Sequence, residues 1–221
     1  MAEPQLVADC VKAMQDAVAV PVTVKHRLGI DSIEDYAFVR RFVETVAAAG
    51  CGTFFVHSRN AILKGLSPKD NRAVPPLKYD YVYRLKREFP ELGIVINGGV
   101  ETVQAIEQHL RHVDGVMLGR AAYHDPYLLT TAEAALFGNP PPARARIVKA
   151  MFEYACEEVP RGTSLRAIAR HMLGLYHGQP NARLWRRMLS DAAMLAANRP
   201  ELLLQAMQAT EAAQAEIAAV A

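Results

Sequence analysis

Short β-branched runs alternate with amphipathic stretches through the first two thirds of the chain. Residues 94–100 read I-V-I-N-G-G-V and residues 114–120 read D-G-V-M-L-G-R, with a helix-length segment at 101–112 between them. Strand, glycine turn, helix, strand, glycine turn is the grammar of a parallel βαβ unit. Upstream, P-V-T-V-K at 21–25 and G-T-F-F-V-H at 52–57 predict two further strands. Ser32 is the expected cap of a helix reaching Ala49, with Glu34 and Asp35 favourable in its first turn. A long polar loop at 58–76 and a helix at 79–89 follow, and another helix is expected at 126–137. The run G-N-P-P-P at 138–142 breaks any helix and stiffens the chain as a linker does. After it only helical patterning remains, at about 144–159, 164–176, 182–197 and 201–219.

Four strands alternating with helices, then helices alone, predict an α/β fold with a boundary between residues 1–139 and 140–221. Four parallel strands make half of a (β/α)₈ barrel, or a small open sheet with helices on both faces. The strand ends favour the barrel. Lys25 is read as ending the first strand, His57 the second, Asn97 the third and Arg120 the fourth. In a barrel these ends meet at one mouth, where active sites lie. A lysine there can set a cation against an anionic ring edge, and a histidine can donate to phosphate or transfer a proton. The glycines after the last two strands leave bare backbone N–H groups, which reads as a cradle for a phosphorylated cofactor. Two ordinary βα turns that use glycine for backbone reasons are the alternative.

Bulk properties narrow the class. The 221 residues can bury a real core. Cys10, Cys51 and Cys156 form no CxxC pair, which argues against a disulfide framework or a zinc ribbon and suits a reducing, cytoplasmic setting. No apolar run approaches the roughly 18 residues of a membrane span, and no signal-peptide pattern opens the sequence. The net charge of +2 hides an asymmetry. Residues 1–139 carry 15 basic and 16 acidic side chains, residues 140–199 carry 10 and 4, and residues 200–221 carry 0 and 3. The positive charge is therefore concentrated in the helical segment, and all but one of its basic residues are arginine.

Several strings in order carry a family resemblance: V-T-V-K-H-R-L-G-I-D at 22–31, F-V-H-S-R at 55–59, G-L-S-P-K-D-N-R at 65–72, V-I-N-G-G at 95–99, D-G-V-M-L-G-R-A-A-Y at 114–123, R-H-M-L-G-L at 170–175 and W-R-R-M-L-S at 185–190. Together they resemble the tRNA-dihydrouridine synthases, specifically the A subfamily, over nearly the whole chain. The resemblance implies an FMN-binding TIM barrel followed by a helical domain. It also implies reduction of uridine 20 and 20a in the tRNA D-loop, with NADPH as reductant and tRNA as macromolecular partner. By the same resemblance Lys25, His57, Asn97, Gly98, Gly99, Gly119 and Arg120 are expected to contact the flavin or its phosphate. Lys69 and Arg72, in the loop after the second strand, match the tRNA-contacting loop. Arg183, Arg186 and Arg187, around the single tryptophan Trp185, match the helical contact region. On charge alone those arginines could equally be a solvated helix face.

The family's catalytic cysteine lies in a G-C-P motif that this sequence does not contain. Cys10 falls within the helical pattern L-V-A-D-C-V-K-A-M, Cys51 at the start of a strand and Cys156 in the helical segment, so none is expected to replace it. The sequence therefore reads as the last four strands of a barrel plus its helical domain, a fragment lacking the first four strands. Two other classes stay open at this stage: a different phosphate- or flavin-binding barrel oxidoreductase, and a non-catalytic RNA-binding remnant.

Overall fold

The computed structural model describes residues 1–33 and 35–220, with side chains through Ala212. Helix α1 (Pro4–Ala17) leads into strand β1 (Val24–Arg27), helix α2 (Tyr36–Ala48) and strand β2 (Thr53–His57). Helix α3 (Tyr79–Glu88), strand β3 (Gly93–Asn97), helix α4 (Val103–Leu110) and strand β4 (Gly115–Met117) complete the alternation. The helix starts have local causes. Pro4 occupies the first turn of α1, where a missing N–H costs nothing. Thr102 accepts from the Ala105 N–H at 3.1 Å to cap α4. The cap of α2 is not Ser32 but Asp35, whose carboxylate accepts from the Ala37 N–H at 3.0 Å. Glu34, expected in that first turn, lies outside the described residues.

All four strands are parallel and lie in the order β1-β2-β3-β4. This order decides between the two architectures left open by the sequence. Right-handed crossovers that always step to the next strand keep their helices on one face, whereas a doubly wound sheet reverses direction part-way. Phe54, Val56, Ile94 and Ile96 point to that covered face and are fully buried with Val39, Phe42 and Val46 of α2 and Val82 and Leu85 of α3. The alternate residues Phe55, Val95 and Asn97 point to the opposite, half-buried face. The sheet is thus singly wound, with barrel geometry.

From Arg120 onward the chain forms a second compact unit, the first being Met1–Gly119. It contains helices α5 (Arg120–His124), α6 (Tyr127–Phe137), α7 (Arg144–Glu158), α8 (Leu165–Ala169), α9 (Ala182–Met188), α10 (Ala192–Ala196) and α11 (Glu201–Val220). The division falls before the proline run, so α5 and α6 belong with the helical unit and not with the sheet. Two long helices expected here are broken. The segment at 164–176 is helical only through Ala169 and then continues as turns. At Gly174 a β-carbon would stand 2.1 Å from the His124 carbonyl oxygen, an approach that leaves room for glycine alone. The segment at 182–197 splits because Asp191 starts a new helix, accepting from the Met194 N–H at 2.9 Å. Trp185, Tyr176, Leu165 and Leu203 centre the core of this unit. Among the described residues no helix is long and apolar enough to cross a membrane.

Candidate functional site

Parallel pairing arranges the first unit's polar side chains in rows. Arg27, His57, Asn97 and Met117 are register partners across the four strands. Lys25 lies two residues earlier on the same face, in the row of Phe55, Val95 and Gly115. The expected strand ends therefore need two corrections. Strand β1 runs past Lys25 and ends at Arg27, and Arg120 is not in β4 but opens α5. His57 and Asn97 end β2 and β3 as expected.

The row ends beside two loops that close on each other. Arg27 Nη1 donates to the Asn60 carbonyl at 2.9 Å and to the Asn71 carbonyl at 2.8 Å. The Asn71 side chain accepts from the Ile62 N–H at 2.9 Å and donates to the Ile62 carbonyl. Asp31, just after β1, takes the Leu63 N–H at 2.7 Å. Residues 58–78 are thus a tethered loop, with a short 3₁₀ turn at Asp70–Arg72. Lys69 and Arg72 stand exposed at that turn.

Positive charge accumulates at this end of the sheet. Burial, reinforced by the neighbouring Arg27 charge, lowers the Lys25 pKa from its ordinary value. Burial also lowers that of Arg27, with Arg59 and Arg72 adding to the effect. Cations that depress one another's ionisation form a site in which an anion relieves the repulsion.

The turn after β3 has the backbone that a phosphate needs. Gly98 and Gly99 adopt φ of 112° and 71°, the region that favours glycine. A β-carbon on Gly99 would lie 2.7 Å from Leu77 Cδ1 and 2.9 Å from the Tyr79 hydroxyl. On Gly98 it would lie 3.3 Å from His57 Nε2, which places the imidazole against this turn. Among the described residues the N–H groups of Gly98 and Gly99 donate to no protein acceptor. Successive unengaged N–H groups in such a conformation form an anion-binding nest. Asn97, expected to contact the cofactor, also makes a bond across the sheet. Its amide donates to the Met117 carbonyl at 2.8 Å and so stitches β3 to β4, two residues before Gly119. Gly119 needs no left-handed φ, and nothing lies within 4 Å of its would-be β-carbon.

In the second unit, Arg183, Arg186 and Arg187 are exposed on α9, where a spacing of three and four puts them on one face. With His177, Gln179 and Asn181 they line an open concavity of about 770 Å³. Trp185 is not part of that face. It is fully buried, its indole N–H donating to the Met172 carbonyl at 2.9 Å and its ring 4.8 Å from that of Tyr176.

Neither Cys10 nor Cys51 lies in the row of strand ends, and Cys156 belongs to the second unit. Cys10 and Cys156 are exposed on α1 and α7. Cys51 is buried before the first residue of β2, at the opposite end of the strand from His57, with its thiol directed at the Val22 and Thr53 carbonyls. Sequence reasoning missed Arg27, Arg59 and Tyr79. For Arg27 the signal was present: strand alternation puts it on the same face as Lys25.

A family model for dihydrouridine synthases matches residues 1–215. The chain belongs to the dihydrouridine synthase family. It is 54% identical over 211 residues to a Synechocystis sp. protein named tRNA-dihydrouridine(20/20a) synthase, covering 95% of this chain and 63% of the relative. It is 53% identical over 219 residues to a protein of the same name from Xanthomonas campestris pv. campestris, covering 99% of the chain and 65% of the relative. A Shewanella oneidensis protein of that name is 50% identical over 195 residues, covering 87% and 58%. The chain thus spans less than two thirds of the length of these curated relatives. Within the family's (β/α)₈ barrel, β1 to β4 are the last four strands.

Proposed function

We propose that this chain supplies the cofactor-phosphate wall and the tRNA-binding helical part of a flavin-dependent tRNA-dihydrouridine synthase. Its reaction is reduction of uridine at positions 20 and 20a of the tRNA D-loop in the cytoplasm, with NADPH as reductant. The single observation that carries this reading is the Gly98–Gly99 turn: two left-handed glycines whose N–H groups meet no acceptor among the described residues, crowded by His57, Leu77 and Tyr79, at the end of a cationic strand row. The donor set fits FMN, whose terminal phosphate is a dianion and whose reduced ring carries negative charge.

Gly98 and Gly99 offer backbone donors, His57 a ring nitrogen beside the turn, and Gly119 and Arg120 the next backbone step and a guanidinium suited to phosphate. Lys25, one row deeper, supplies a cation against the charge that reduction creates. Bound FMN supplies the hydride that uridine reduction requires. Asn97 holds β3 to β4 beneath the phosphate donors. Lys69 and Arg72 on the tethered loop, and Arg183, Arg186 and Arg187 on α9, are read as phosphate contacts that orient tRNA through its backbone. The barrel part is read as residues 1–139 and the tRNA-binding part as residues 140–221, and α5 and α6, inside the first of these ranges, pack with the helical unit.

FMN titration of the 221-residue chain, followed by flavin fluorescence, tests the reading. Saturable binding at one FMN per chain, competed by inorganic phosphate, is expected. Failure to bind FMN while tRNA is still retained overturns the flavin assignment and favours the RNA-binding alternative.

A further inference from the structure

Tyr79 is the first residue of α3, yet its hydroxyl reaches the sheet and donates to the Gly98 carbonyl at 2.9 Å. In a trans peptide the carbonyl of one residue and the N–H of the next point in opposite directions. Holding the Gly98 carbonyl toward α3 therefore turns the Gly99 N–H away from it. Gly98 is buried and Gly99 exposed.

The tyrosine is itself held from behind. Its ring meets His109 of α4 edge-on, with centroids 4.5 Å apart. His109 Nδ1 is 2.7 Å from the Tyr83 hydroxyl, and the Tyr83 ring stacks on His112 at 4.3 Å. Burial raises the Tyr79 pKa, with Arg59 opposing and Glu101 adding, so the hydroxyl keeps its proton at neutral pH. A protonated phenol with a fixed ring is a one-way donor toward the Gly98 oxygen.

We infer that Tyr79 is a positioning residue for the cofactor phosphate: by clamping the Gly98 carbonyl it aims the Gly99 N–H into the phosphate cradle. The inference rests on the flavin reading above. Tyr79 touches neither cofactor nor substrate in this role. Its effect is confined to the phosphate end of the ligand, which separates it from a residue that merely supports the barrel.

The test compares FMN with riboflavin, which has the same ring but no phosphate, on the 221-residue chain and its Tyr79→Phe variant. The wild-type chain is expected to prefer FMN. Tyr79→Phe removes one neutral hydrogen bond, so FMN affinity should fall about three- to tenfold while riboflavin affinity stays unchanged. A variant that keeps the full preference for FMN, or that weakens both ligands equally, overturns the inference and leaves the flavin reading standing. A wild-type chain that binds FMN no better than riboflavin overturns the phosphate reading and this inference with it. Where Tyr79→Phe fails to fold, the wild-type Gly99 amide resonance is followed instead. It should move downfield with FMN and not with riboflavin, and an unmoved Gly99 amide at saturating FMN overturns the inference.

Discussion

Arg27 Nη1 donates to the Asn71 carbonyl at 2.8 Å, tying the last residue of β1 to a turn 44 residues downstream. The same nitrogen reaches the Asn60 carbonyl, so one guanidinium fastens both limbs of the loop that carries Lys69 and Arg72. Hydrogen bonds to charged groups contribute about 1.5–3 kcal/mol each. Arg27→Met removes both bonds and should therefore loosen the loop by about 3–6 kcal/mol, and Arg27→Lys should restore little, because a strongly hydrated ammonium on a flexible stem is a poorer partner for two fixed carbonyls. Hydrogen exchange at the Ile62 and Leu63 amides reads this directly, since both donate within the tether. Unchanged protection in both variants would show that the loop holds without Arg27.

His26 points the other way along the same strand, into the helix-covered core. It lies 5.0 Å from the Phe42 ring and 5.8 Å from that of Phe54, and Nδ1 sits 2.7 Å from the Arg27 carbonyl. Burial lowers its pKa to about 4. The unfolded chain then binds a proton near pH 6.5 that the folded chain refuses until about pH 4. Stability from this group is complete above pH 6.5 and is lost as pH falls toward 4, by on the order of 3 kcal/mol. Urea melts at pH 7 and pH 4.5 should show that slope, and His26→Leu should flatten it. An equal slope in the variant assigns the acid sensitivity elsewhere.

Gly99→Ala tests the cradle sterically. The added methyl meets Leu77 and the Tyr79 hydroxyl while the backbone is held at a φ that alanine disfavours. A loss of about 1–3 kcal/mol in thermal stability is expected, together with loss of FMN binding. Full FMN affinity in this variant would remove the turn from the phosphate site.

For the helical unit, one arginine at a time is informative. Arg186→Ala should weaken tRNA binding and reduce the slope of log affinity against log salt by about 0.7–0.9 for each phosphate it ceases to neutralise. Trp185→Phe should change stability and not the salt slope, because the indole is wholly inside the core. An unchanged slope after substituting Arg183, Arg186 and Arg187 together would make that face an ordinary solvated surface.

The alternation of strands and helices through β4 was legible because period-two and helical patterning are local, and so were His57 and Asn97 as strand ends. The register of β1 was not. Lys25 is the kind of residue that ends a strand, and only pairing with Phe55 puts Arg27 level with His57. Periodicity records neither the stop of α8 after Ala169, nor the close approach of Gly174 to His124, nor the cap at Asp191 that starts a new helix. Tyr79 was invisible for the same reason: it reads as one aromatic on an amphipathic helix until the fold brings its hydroxyl to Gly98.

Under the proposed function this chain carries flavin and tRNA contacts of a uridine reductase but, among its described residues, no cysteine at the strand ends to protonate the ring. Mass analysis of unmodified tRNA, incubated with FMN, NADPH and the 221-residue chain, tests it most directly. General acid catalysis is worth roughly 10²–10⁴ in rate. The chain alone should give no detectable gain of two hydrogens at uridine 20 or 20a. Fusion to the barrel strands that bear the family's G-C-P motif should produce that gain. Dihydrouridine formed by the chain alone at the rate of an intact relative would contradict the account, as would a fusion that binds FMN and tRNA yet reduces neither uridine.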